Sequence, residues 1–87
     1  MNKYLVEFLG TTFFIFVIIS IGHPIAIGAA LTLAILLGGK ISGGHFNPAV
    51  SVAMTIAGKL KTNDLMMYVL AQVAGGTVAY QLYKRFN

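Results

Sequence analysis

From Leu5 to Ile21 the chain carries an apolar run broken only by Glu7 and by small or hydroxyl-bearing residues. A run of this kind approaches the roughly 20 residues that a helix needs to cross the hydrocarbon core of a bilayer. Its Phe13-Phe14-Ile15-Phe16-Val17-Ile18-Ile19 centre is apolar on every side, as expected of a helix surrounded by lipid and other helices. Composition extends the constraint to the whole chain. Of 87 residues, 57% are hydrophobic and 9% charged, against about a quarter charged in soluble domains. A water-soluble fold this small cannot hide so much apolar surface in its own interior, so lipid must cover it. The fold class is an all-α membrane protein.

The net charge of +4 reflects scarce acids, Glu7 and Asp64, more than abundant bases. Lys3, Lys40, Lys59, Lys61, Lys84 and Arg85 stand at the ends of apolar stretches, which suits lipid headgroups and not a nucleic-acid partner. Cysteine is absent, which excludes disulfides and thiolate metal sites. The first run is too long for the apolar core of a cleavable leader, contains Glu7 and lacks a small-residue cleavage site, so it reads as a retained span.

The pattern predicts spans over about 4–22, 24–39 and 63–83, with an unusual segment over 40–58. Gly22-His23-Pro24 makes a short turn, and Pro24 suits a first helical position. The second span is expected to stop at Gly38-Gly39, and the third to be capped by Thr62 or Asn63, with Asp64 in its first turn. Ala71, Gly75 and Ala79 form a small-residue stripe for close packing. Tyr80 and Tyr83, followed by Lys84 and Arg85, form an interfacial anchor.

Within 40–58, Ile41-Ser42-Gly43-Gly44-His45-Phe46 is expected to be irregular. Asn47-Pro48 then starts a helix of about three turns, roughly half a bilayer, which Gly58 ends before Lys59 and Lys61. An apolar half-length helix entered through glycines reads as a re-entrant loop. Irregular backbone at membrane depth is tolerated where protein or a water-filled cavity satisfies it, so this segment points to a cavity.

The string Ser42-Gly43-Gly44-His45-Phe46-Asn47-Pro48-Ala49-Val50 resembles the first Asn-Pro-Ala loop of the aquaporin, or major intrinsic protein, family. Glu7-Phe8-Leu9-Gly10-Thr11 is similar to that family's first helix, and Ala71-Gln72-Val73-Ala74-Gly75-Gly76 to its third. The resemblance implies a single repeat of three transmembrane helices and one re-entrant half-helix, half of an aquaporin-like fold. It implies a passive channel for water or small neutral, glycerol-like solutes, in which two inverted repeats bring their half-helices together at the bilayer centre. Asn47, Pro48 and Ala49 would then form the pore motif, with the Asn47 amide donating to solute. The carbonyls of Gly43, Gly44 and His45 would offer acceptors on the way in. The positive end of the half-helix dipole would oppose cations. Glu7 and Gln72 would brace the loop backbone, and Ile27 would occupy the constriction position.

Val50 follows the motif where second repeats of the family carry an arginine. The expected partner is a second, inverted copy of the chain, or a separate second-repeat chain supplying that arginine. A non-conducting truncated remnant is the third possibility. Counted by residue, four bases (Lys3, Lys40, Lys59, Lys61) fall on one side and two (Lys84, Arg85) on the other, a modest orientation bias. No nucleophile–base pair, metal set or phosphate loop stands out, so neither an enzyme nor a cofactor is expected. The expected location is the plasma or inner membrane.

Overall fold

The computed structural model describes all 87 residues as four helices: α1 (Lys3–Ser20), α2 (Pro24–Ser42), α3 (Pro48–Ile56) and α4 (Thr62–Phe86). Three of them, α1, α2 and α4, are long and apolar enough to cross a membrane. The Asn2 side chain caps α1 by accepting the Leu5 N–H at 2.8 Å. The first helix closes at Ser20, two residues before the expected boundary, and Gly22 (φ 68°) turns the chain. His23 caps α2 through Nδ1, which accepts the Ile25 N–H at 3.1 Å, and Pro24 occupies the first turn.

The second helix corrects the expected boundary. It runs through Gly38 and Gly39 to Ser42, so residues 40–42 are helical and the irregular segment is only 43–47. Two glycines disfavour a helix interior by about 1 kcal/mol each, but tertiary contact outweighs this locally. A Cβ on Gly38 would lie 2.5 Å from Val6 Cγ1, so the small residue lets α1 and α2 close together. The helix ends one turn later, where Gly43 (φ 93°) adopts a left-handed conformation and donates its N–H to Gly39 O at 2.8 Å.

The half-helix α3 closes at Ile56, with Ala57 as its cap and Gly58 (φ 76°) reversing the chain. At the start of α4 the N-cap is Lys61, and no side chain caps the helix. Asp64 is instead engaged across the fold, accepting from Lys3 Nζ at 2.8 Å and from Tyr4 Oη at 2.7 Å. That cluster places the starts of α1 and α4 at the same end. The far end of α4 continues to Phe86, three residues beyond the expected boundary, carrying Lys84 and Arg85 in a last turn that favours cations.

Helix α1 packs against both α2 and α4, while α3 folds back on α4. The α1–α4 crossing is tight: a Cβ on Gly75 would lie 2.7 Å from the Phe8 carbonyl oxygen. The buried face of α4 is Asp64, Tyr68, Gln72, Gly75 and Ala79; Ala71, expected in the stripe, lies to one side and is half-buried. Only 16 of 87 residues are buried, and seven of these are polar or charged. Leu36, Leu37, Ile56 and Met66, by contrast, are largely exposed. A polar interior under an apolar exterior is stable only with hydrocarbon outside.

Candidate functional site: the re-entrant turn and half-helix

The turn between α2 and α3 folds around one carboxylate. Glu7, fully buried on α1, accepts four hydrogen bonds from three segments of the fold. Its Oε2 receives Ser42 Oγ at 2.7 Å and the His45 N–H at 3.1 Å. Its Oε1 receives the Phe46 N–H at 2.7 Å and Gln72 Nε2 at 2.8 Å. Two successive backbone N–H groups of an irregular turn therefore end on a helix side chain. Left unpaired away from water, each would cost several kcal/mol.

The Gln72 side chain makes no hydrogen bond to loop backbone. Its amide spans Glu7 and Ser51, donating to Ser51 Oγ at 2.8 Å, and so braces the turn through other side chains. Ser51, fully buried in the second turn of α3, lies 2.8 Å from His45 Nδ1. Both hydrogens of the Gln72 amide are committed, one to Glu7 and one to Ser51 Oγ, and the Ser51 hydroxyl shares its remaining hydrogen bond with His45 Nδ1. The His45 ring also packs against Tyr68, with centroids 5.2 Å apart, and Tyr68 Oη donates to the Ser42 carbonyl at 2.6 Å.

Beside these buried groups, Gly43 and Asn47 at the two ends of the turn are exposed. Asn47 is exposed in extended conformation (φ −163°, ψ 124°), and its Oδ1 caps α3 by accepting the Ala49 N–H at 2.8 Å. Its Nδ2 donates to nothing within the chain, and none of the carbonyls of Gly43, Gly44 or His45 accepts a hydrogen bond there. Pro48 occupies the first turn of α3 and Ala49 is exposed beside it. Ser51 is tied to Gln72, roughly 15 Å into an α4 of roughly 37 Å, and α3 runs back toward the start of α4. Asn47, one turn deeper, therefore lies near mid-length of the spanning helix. Ile27 stands apart from this cluster, half-buried and roughly 22 Å from the end of α2 by helical rise.

Several participants escaped the sequence reading. Ser51 and Tyr68 join the polar layer, and Lys3, Tyr4 and Asp64 make a separate clasp at the helix starts. A serine one turn after Asn47 in an otherwise apolar half-helix was the available signal for Ser51. Nothing local marked Tyr68, whose partner is 26 residues away. Thr11 Oγ1 and Gln72 Oε1 are buried without a partner, both on the facing sides of α1 and α4.

Comparison with known proteins bears on the same residues. The chain is 45% identical over 95 aligned positions to glycerol uptake facilitator protein-like 6 of Lactiplantibacillus plantarum, covering 99% of this chain and 44% of that protein. It is 41% identical to aquaporin Z of Brucella melitensis, covering 91% of this chain and 41% of the relative. It is 43% identical to aquaporin-8 of Notomys alexis, covering 91% and 34%. The chain thus spans less than half the length of the curated relatives it matches. No solved structure matches it significantly. The family model described as major intrinsic protein matches residues 1–87, the whole helix–helix–half-helix–helix unit built around Glu7 and Asn47, and the chain belongs to that family.

Proposed function

We propose that this chain forms one wall of a passive transmembrane pore for water and small neutral solutes in a plasma or inner membrane, completed by a second copy in inverted orientation. One observation carries the reading. The free Nδ2 of Asn47, the N-terminal end of α3 and the unused carbonyls of residues 43–45 belong to one short turn, which ends at Asn47 near mid-length of the spanning helices. A lipid-exposed surface cannot leave such groups unpaired, whereas a water file satisfies all of them. Carbonyls accept from a passing hydroxyl, the Asn47 amide donates to its oxygen, and the helix end opposes a cation.

The names of the relatives, a glycerol uptake facilitator-like protein and aquaporins, keep both polyols and water within the solute class. In this reading Ile27 lines the constriction of each half, giving an apolar opening without a fixed charge. The family's chemistry is conduction and not catalysis.

The test is reconstitution in liposomes with light-scattering assays of water and glycerol uptake. Asn47→Asp keeps a capping oxygen but places a carboxylate beside the solute. Flux of neutral solutes should fall and cation exclusion weaken. A folded Asn47→Asp variant that conducts like the parent protein removes Asn47 from the pore. Parent liposomes no more permeable than protein-free ones remove the self-paired pore and favour a distinct second half.

A further inference from the structure

We infer that Phe46 is the positioning residue of the pore motif, and that the space left by Gly10 on α1 is the socket that holds its ring and thereby aims Asn47. The inference rests on the pore reading for its functional consequence and on independent geometry for its mechanism.

Phe46 is the only residue other than glycine with positive φ, at 53°. A bulky side chain is disfavoured in that left-handed region and persists there only where surrounding contacts over-determine it. Two contacts do so. The Phe46 N–H donates to Glu7 Oε1 at 2.7 Å, and the residue is only 2% exposed. Its ring lies where the side chain of Gly10 is missing. A Cβ on Gly10 would collide with ring atoms Cδ1, Cε1 and Cζ, and one on Gly38 would lie 3.6 Å from Cζ. The ring thus fills the space of the absent Gly10 side chain, touches α2 beside Gly38, and joins Val6 and Ala34 in the small apolar core.

Phe46 immediately precedes Asn47, whose own N–H makes no hydrogen bond in the chain. The direction of Asn47 relative to α1 and α2 therefore passes through the φ and ψ of Phe46. Seating the ring holds those angles together with the N–H bond to Glu7, while Ser51 on Gln72 holds α3 from the other side; moving the ring shifts the balance between these restraints. Beside the ring lies an apolar groove of about 360 Å³ between α1 and α2, bordered by Leu9, Phe13, Leu37 and Ile41. A displaced ring can enter this groove, so a change at Gly10 can shift the loop without unfolding the helices.

The experiment compares Gly10→Ala, Phe46→Ala, Phe46→Gly and the double variant Gly10→Ala/Phe46→Leu in liposomes, measuring water flux and cation leak together. In parallel, because the chain has no cysteine, Ala49→Cys in each background reports the exposure of the motif to a membrane-impermeant thiol reagent. Gly10→Ala should lower water flux about tenfold, the effect of losing support for one strained backbone conformation. It should also raise the ratio of cation leak to water flux and change the thiol rate. The shorter leucine should accommodate the new methyl and restore both readings. Phe46→Gly, which accepts the left-handed backbone but has no ring, should remain defective. Unchanged flux ratio and thiol rate in folded Gly10→Ala overturn the inference, as does full function in Phe46→Gly or failure of leucine to rescue. Should Gly10→Ala not fold, Phe46→Ala decides in its place, parent-like flux ratio and thiol rate overturning the inference. A parent protein that conducts nothing defeats the pore reading alone, since the thiol rates still report whether the socket positions the motif.

Discussion

Glu7 receives donors on both oxygens, and on each oxygen one donor is a backbone N–H that cannot turn round: His45 on Oε2 and Phe46 on Oε1. Glutamine at this position is therefore worse than its shape suggests. Whichever way its amide is placed, an NH₂ group faces a backbone N–H. Glu7→Gln should destabilise the fold by about 3 kcal/mol, the scale of losing a charge-assisted bond and stranding a buried donor. A thermal melt in detergent followed by circular dichroism measures it. A melting temperature equal to that of the parent would show that the turn does not hang on this carboxylate. The residue's importance was visible in the sequence as an acid inside an apolar run, but its four partners were not. They come from positions 35 to 65 residues further along the chain.

At the scale of elements, the small residues of α4 are not equivalent. Gly75 and Gly76 are neighbours in sequence, yet only Gly75 faces the α1 backbone. A methyl at Gly75 would approach the Phe8 carbonyl oxygen to 2.7 Å and Thr12 N to 3.2 Å, whereas one at Gly76 meets only Ile15 Cγ1, at 3.9 Å. Gly75→Ala should destabilise by about 1–3 kcal/mol through overpacking. Gly76→Ala should be neutral or stabilising by up to about 1 kcal/mol, because alanine is the better helix former. Paired melts of the two variants decide it, and equal effects would mean that α1 and α4 are not in backbone contact there. Periodicity pointed to Ala71, Gly75 and Ala79 as one stripe. The crossing rotates the contact face so that Gln72 replaces Ala71, because α4 must present an amide to Glu7 and Ser51 as well as a seam to α1.

For the whole molecule, the clasp of Lys3 and Tyr4 on Asp64 brings the starts of α1 and α4 to one end. That end holds four basic residues, Lys3, Lys40, Lys59 and Lys61, against two, Lys84 and Arg85, at the other. Orientation follows the excess of Lys and Arg near span ends, and here that excess is small. If the pore consists of two inverted copies, both orientations coexist in one membrane. Lysines added beside Lys3 should lock one orientation, and lysines added after Arg85 the other. Each locked variant should conduct poorly alone, and co-expression should restore flux. Normal conduction by a variant whose copies all face one way would exclude the inverted pair.

The sequence by itself determined the solvent, the number of spanning helices, the half-helix that begins at Asn47-Pro48 and the family. Each of these depends on local quantities: runs of apolar residues matched to bilayer thickness, a capping residue before a proline, and a contiguous motif. Tertiary structure decided what local signals cannot carry. It extended α2 through Gly38 and Gly39, because contact with Val6 outweighs glycine's poor helix propensity. It diverted Asp64 from its own helix end to Lys3 and Tyr4, and drew Ser51, His45, Gln72 and Ser42 into one polar layer around Glu7. It also held Phe46 in a backbone conformation that no local preference selects. In a membrane every buried polar group must find its partner within the protein, so these choices are made by whichever distant residue the packing brings within hydrogen-bond reach.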